Sequence, residues 1–243
     1  MITGDINNRI YAHFNSCLID LTPSSTSHVA TMLYVPVSND PVISEQCASV
    51  LSSSERQRAN RFVSKSDKTH FYQRRAFRRF CAAIALGSHQ PLSQLGFEEA
   101  EKGSPFLSAA TEFSFGFSSC RTGFLGAWSS THAIGVDIEA SAKRVEAKAL
   151  ARQYFSASEA NVVEKSGDLV RQRTFFQFWC LKEAALKSIG EGLPFGLDTF
   201  EFVLSPTLQV NDAPSEYGGP GQFNAHFIER TDQYAALIIR NRD

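Results

Sequence analysis

Asp137 and Glu139 lie two residues apart in the otherwise apolar run AIGVDIEASA (133–142), with the type and spacing to hold a cation. On a β-strand, residues i and i+2 share a face, so the two carboxylates stand side by side while Val136 and Ile138 enter a core. Like charges that close repel unless a cation sits between them. Hard oxygen donors in an open site suit magnesium, which keeps several waters and takes its remaining ligands from phosphates. An isolated Asp-x-Glu also fits a strand whose polar face simply meets water, so the pair carries little alone. A second group is Glu183 and Lys187 in FQFWCLKEAALKSIGEGL, four residues apart and on one helix face. Such pairs are ordinarily exposed salt bridges worth about 0.2–0.5 kcal/mol. Here Phe175, Phe176, Phe178 and Trp179 precede the pair, which sets the helix against a core and turns its polar face toward a cleft. The third group is a charge cluster: between residues 55 and 80, Arg56, Arg58, Arg61, Lys65, Lys68, Arg74, Arg75, Arg78 and Arg79 face only Glu55 and Asp67. That density is an anion-binding surface for a phosphorylated cofactor or a nucleic acid, and a solvated helix face is its ordinary counterpart.

These side chains need elements to hold them. The segment from Ser54 to Gly87 reads as one helix, because Tyr72, Ala76, Phe77, Phe80, Cys81 and Ile84 recur at helical spacing, leaving Arg74, Arg75, Arg78 and Arg79 on the other side. FLGAW and AIGVDIE read as two adjacent strands separated by the polar residues 129–132. Ser156 and Glu159 are spaced as a capping box, and a longer helix is expected from about Asp168 to Ile189, stopped at GEGLPFG. A strand at VATMLYVPV opens the core, and FNAHFIE and YAALIIR close the chain as two strands after the loop APSEYGGPGQ. Residues 1–28 end in the turn-rich TPSSTSH, which reads as a linker from an N-terminal extension.

Composition narrows the class. A chain of 243 residues, 43% hydrophobic and with 20 Phe, has the apolar surface to bury a substantial core. The 24 Lys and Arg nearly balance 25 Asp and Glu, so any electrostatic specialisation is local. Five scattered cysteines without ligand spacing disfavour a disulfide framework or a zinc site and predict a reducing, cytoplasmic setting. No stretch approaches a membrane span, and the N-terminus lacks the pattern of a secretion signal.

Taken together, IGVDIE and, some forty residues on, FWCLKEAALKSIGEGL resemble the 4'-phosphopantetheinyl transferases of the Sfp type, whose signature is G-[IV]-D-[IL]-E followed by W-x-x-K-E-[AS]-x-x-K-x-x-G-x-G-[IL]. Order, spacing and flanking residues all fit. Upstream, LSSSERQRANRF and RRAFRR resemble the basic N-terminal region of that family, so the resemblance spans about residues 32–240. It implies an α+β fold, a pseudo-dimer of two similar α+β halves, with an extension at 1–31, a coenzyme A-binding half at 32–132 and a magnesium-binding half at 133–243. The implied activity is transfer of 4'-phosphopantetheine from coenzyme A to a serine of an apo acyl or peptidyl carrier protein, releasing 3',5'-ADP. Such carriers serve fatty acid, polyketide or nonribosomal peptide synthesis. The implied partners are coenzyme A and the carrier, without nucleic acid or membrane, and a fused pseudo-dimer predicts a monomer.

Residue by residue, the resemblance implies Asp137, Glu139 and Glu183 as magnesium ligands and Lys187 beside the transferred pyrophosphate. Arg58 and Arg75 fall at positions associated with the coenzyme A phosphates, and Ser118 and Ser119 are implied as further coenzyme A-binding residues. The chemistry requires neutralised pyrophosphate charge and a deprotonated serine, with Glu183 or a metal-bound water near it as base. The chain departs from the family at two places: KGSPF has Ser104 where members have lysine, and FGFSSC has Ser119 where they have histidine. Lys102 and Arg121 are the nearest cations able to compensate for coenzyme A binding. A member that binds coenzyme A or a carrier protein without efficient transfer is the second reading. A nucleic-acid binder is the third, and it leaves the carboxylate and lysine motifs unexplained.

Overall fold

The computed structural model describes residues 2–99, 105–107 and 110–242. Its seven α-helices are α1 (Ile2–Cys17), α2 (Pro41–Ser49), α3 (Ser53–Ala59), α4 (Lys65–Leu86), α5 (Ala147–Tyr154), α6 (Ala157–Lys165) and α7 (Asp168–Ser188). The strands in chain order are β1 (Ile19–Asp20), β2 (Thr31–Pro36), β3 (Glu98–Glu99), β4 (Pro105–Phe106), β5 (Ser114–Cys120), β6 (Gly123–Ser129), β7 (His132–Ala140), β8 (Glu201–Val203), β9 (Gln209–Asp212), β10 (Phe223–Glu229) and β11 (Gln233–Asn241). Two antiparallel sheets organise them, one ordered β1-β2-β6-β5 and the other β10-β11-β7, with β3-β4 and β8-β9 as small hairpin-like additions. Each main sheet carries one long helix, α4 or α7, which is the α+β architecture of two similar halves.

Side-chain alternation sorts the residues of these strands into three apolar layers. Leu33 and Val35 of β2 and Phe124 and Trp128 of β6 pack under α4 with Phe71, Phe77 and Phe80. Met32, Tyr34, Leu125 and Ala127, the intervening residues, face Ile134, Val136 and Ile138 of β7 and Ala235, Leu237 and Ile239 of β11. On the far side, Tyr234, Ala236 and Ile238 meet Phe175, Phe176, Phe178 and Leu181 of α7. The order of layers is therefore helix, sheet, sheet, helix. Burial of each such Phe, Leu or Ile contributes about 1.5–3 kcal/mol, so the layers hold the scaffold without disulfides. All five cysteines are reduced.

Several sequence expectations are corrected. FLGAW and AIGVDIE are consecutive but not paired: β6 pairs with β2 and β5, whereas β7 pairs with β11, because the chain steps from one sheet to the other at residues 130–131. The helix expected over Ser54–Gly87 is two helices. Ser52 and Glu55 form a capping box that starts α3, and Ser64 accepts from the Asp67 amide to start α4, so the chain breaks at 60–64. The N-terminal segment is a helix, α1, whose Ile10 and Phe14 enter the first core, the Phe14 ring lying 5.1 Å from that of Phe80. The arginine row is also divided. Arg75 and Arg79 are 5% and 2% exposed and turn inward to Glu55, with Arg79 Nη2 2.6 Å from Oε2 and Arg75 Nε 3.6 Å from Oε1. A pair of charges inside the fold is thus spent on joining α3 to α4.

The expected capping box at Ser156 and Glu159 is present and has a second task. Glu159 is 1% exposed, its Oε2 lies 2.6 Å from Lys182 Nζ, and its Oε1 accepts from the Phe202 amide at 2.9 Å. Lys182, fully buried on α7, also donates to the carbonyls of Leu197 (2.9 Å) and Phe200. Burying an ammonium is tolerable only when its donors are matched, and here they are. The match fixes the rotation of α7 about its axis, so that Glu183 and Lys187 face β7.

Candidate functional site

The site forms where α7, β7 and β5 meet. Register places Asp137 opposite Ala236 and Glu139 opposite Tyr234 in the β7–β11 ladder, so both carboxylates project from the face that α7 covers. Val136 and Ile138 enter the layer between the sheets, as the alternation predicts. From α7, Lys187 reaches across to Asp137, with Nζ 2.7 Å from Oδ1, and lies 3.7 Å from Oε2 of its i−4 neighbour Glu183. From β5, Ser118 Oγ donates to the same Asp137 Oδ1 at 2.8 Å, and Lys187 Nζ lies 3.4 Å from that hydroxyl. Glu139 is held separately by Lys143, Nζ to Oε1 2.7 Å.

Burial first, and neighbouring charged groups second, set the electrostatics of the site. Burial raises the Glu139 carboxyl above its ordinary range, and Asp137 adds to the rise despite Lys143 and Lys187. Burial likewise raises Glu183; Lys187 opposes the rise, while Asp137 and Glu139 reinforce it. Burial pulls the Lys187 ammonium down, but Asp137 and Glu183 outweigh it and hold the group above its usual value. The Cys180 thiol of α7 is pushed well up by burial and then by Asp137 and Glu139, so it remains protonated beside them.

Asp137 is 5% exposed, and its Oδ2 accepts no hydrogen bond from any described residue. An orphaned buried carboxylate oxygen is costly, and it marks a place for a cation or its water. Three hard oxygen donors with raised Glu139 and Glu183 suit magnesium in kind. Among the described residues, however, no three His, Cys, Asp or Glu side chains are drawn together as a ready metal cluster. Lys187 and Lys143 instead neutralise the carboxylates.

The remaining sequence-predicted residues are distributed along the first half. Arg58, exposed on α3, holds its guanidinium 6.0 Å from the Phe71 ring. Arg75, expected at a phosphate, is turned into the fold toward Glu55, a direction set by α3 and invisible in the spacing of α4 alone. Ser119 lies on the opposite face of β5 from Ser118, and Arg121 is exposed in the β5–β6 turn. Lys102 and Ser104 lie outside the described residues. Sequence reasoning missed Lys143, whose i+4 spacing from Glu139 is the one signal that could have found it.

The family model of the 4'-phosphopantetheinyl transferase superfamily matches residues 133–238, which include the carboxylates and the lysine. The chain is 30% identical over 176 residues to the 4'-phosphopantetheinyl transferase HetI of Nostoc sp., covering 70% of this chain and 73% of that protein. It is 31% identical over 145 residues to the 4'-phosphopantetheinyl transferase psf-1 of Bacillus pumilus, covering 60% and 61% of the two chains. It is also 29% identical over 176 residues to the L-aminoadipate-semialdehyde dehydrogenase-phosphopantetheinyl transferase of Xenopus laevis, covering 68% of this chain and 58% of that one.

Proposed function

The chain belongs to the 4'-phosphopantetheinyl transferase superfamily, and from that premise we propose that it is of the Sfp type, moving 4'-phosphopantetheine from coenzyme A to a carrier-protein serine. The observation that carries the reading is the convergence of Asp137, Glu183 and Lys187 at 2.7 and 3.7 Å between a strand and a helix, with Glu139 on the same strand face. The serine hydroxyl attacks the phosphorus that bears pantetheine, that oxygen–phosphorus bond forms as the diphosphate bridge breaks, and 3',5'-ADP leaves. Lys187 donates to a diphosphate oxygen in this step and offsets charge that grows on the leaving group. Glu183, whose carboxyl burial raises above its ordinary range, takes the hydroxyl proton directly or through a water. Ser118 keeps Asp137 oriented. Asp137, Glu139 and Glu183 are the groups that would hold magnesium, which when bound supplies positive charge to the diphosphate.

In this reading residues 32–132 supply the coenzyme A side and 133–243 the metal side, and the protein works as a cytoplasmic monomer. Arg58 is the best-placed described cation for the coenzyme phosphates, because it is exposed and adjoins the basic face of α4. The test is incubation with an apo carrier protein, coenzyme A and magnesium, followed by intact-mass spectrometry. The carrier gains the mass of one phosphopantetheinyl group; a carrier of unchanged mass, with tight coenzyme A binding retained, would replace transfer by binding alone.

A further inference from the structure

Lys187 occupies a particular point. Its Nζ donates to Asp137 Oδ1 at 2.7 Å and to Ser118 Oγ at 3.4 Å and lies 3.7 Å from Glu183 Oε2, so one ammonium stands among oxygen atoms from β7, β5 and α7. A cation bridging Asp137 Oδ1 and Glu183 Oε2 would occupy that same point, and one that also reached the unpartnered Asp137 Oδ2 would still crowd it. The surrounding groups differ in freedom. The Asp137 and Glu183 side chains are 8% and 15% exposed, whereas that of Lys187 is 32% exposed, on a flexible four-carbon stem. The ammonium, on the most exposed of the three side chains, is the group with room to swing out.

We propose that Lys187 is the resident counter-cation of the metal-free site, and that a divalent cation enters efficiently only together with a diphosphate ester, which receives the displaced Lys187. The inference rests on the proposed metal and coenzyme A reading and adds to it the form in which substrate is taken. A divalent ion bound to Asp137 and Glu183 repels an ammonium left beside it, so metal alone must expel Lys187 into the site mouth without a partner. A diphosphate bound with the metal gives that ammonium an anion in exchange for the one it lost. Metal and ester then favour each other's binding through a single side chain, which is a reciprocal coupling. Lys143 imposes no comparable barrier at Glu139. Its side chain is 47% exposed and its i,i+4 pair is the kind that exchanges readily with solvent.

The test is a titration of the full chain with manganese as a paramagnetic probe, bound metal being read by electron spin resonance with and without coenzyme A and with no carrier protein present. In the wild type, coenzyme A is expected to tighten manganese binding about tenfold or more. In Lys187→Met, manganese alone should bind about tenfold tighter than to wild type, and the gain from coenzyme A should shrink by a similar factor. Lys187→Gln, which keeps a polar end without the charge, should behave in the same way, and circular dichroism confirms the fold of both. If wild type binds manganese but neither variant binds the metal alone more tightly, the exchange is overturned and the metal reading stands. If no form binds manganese with or without coenzyme A, the metal reading itself fails and the exchange falls with it.

Discussion

Gly135 of β7 lies directly beneath the carbonyl of Ala184 on α7: a Cβ built at 135 would collide with that oxygen and fall 2.5 Å from the Ser188 amide nitrogen. The absence of a side chain at one position of the strand is what lets the helix come close enough for Lys187 to touch Asp137. Gly135→Ala is expected to push α7 outward, lowering stability by about 1–3 kcal/mol or more, as overpacking does, and cutting transfer sharply. Thermal unfolding and turnover measured together check this, and an alanine variant that keeps both would show that the contact relaxes without consequence.

Asp137→Ala should abolish transfer while the fold persists, because it removes an acceptor shared by Lys187 and Ser118 but no apolar contact of the layer behind it. The measurements are carrier mass gain in magnesium and the circular dichroism spectrum. Near-normal transfer would remove Asp137 from the metal set.

Arg58 and Arg75 should separate cleanly. Arg58→Ala, at an exposed position, is expected to raise the Michaelis constant for coenzyme A about tenfold, the effect of one charge-assisted hydrogen bond, with little change in melting temperature. Arg75→Ala should do the reverse, lowering the melting temperature because it strips a buried guanidinium from Glu55. Equal Michaelis constants for wild type and Arg58→Ala would exclude that arginine from the phosphates.

Ser119→His, restoring the residue type of the related signature, should lower the Michaelis constant for coenzyme A, whereas Arg121→Ala in the neighbouring turn should raise it several-fold. Initial rates against coenzyme A concentration decide both. If neither constant moves, the β5–β6 turn does not reach the phosphates.

Glu55 makes stability depend on acid. Burial pushes its carboxyl up, but hydrogen bonds from Arg79 and the Ser52 amide and the charges of Arg79 and Arg75 outweigh burial and hold it below 4.5. A carboxyl with a lowered folded-state pKa contributes fully above the unfolded value and loses that contribution as pH falls through the folded value. Glu55→Ala should therefore cost about 3–5 kcal/mol at neutral pH, by leaving Arg79 buried without its carboxylate, and should flatten the loss of stability below about pH 4.5. Urea unfolding across that range tests it, and parallel curves for the two proteins would assign acid sensitivity elsewhere.

The strand face of Asp137 and Glu139, the extent of α7 and the Ser156 capping box were legible because each depends on local periodicity or a local hydrogen bond. What decides the rest is tertiary. Arg75 and Arg58 look alike in the sequence, and the docking of α3 on α4 buries one and leaves the other exposed. The helix α1 was read as an extension because Ile10 and Phe14 are diluted among polar residues, although both are buried against α4. Likewise, Lys187 carries no sequence mark of its contact with Asp137, fifty positions away, since that contact follows from how Lys182 turns the helix.

The apolar layer between the sheets also governs how the molecule comes apart. Met32, Tyr34, Leu125 and Ala127 on one side pack against Ile134, Val136, Ile138, Ala235, Leu237 and Ile239 on the other. A fragment ending near residue 131 would present a bare β-surface and self-associate, as would its complement. The shared layer favours melting of the two halves as one cooperative unit, in which the site at their edge is lost together with the core.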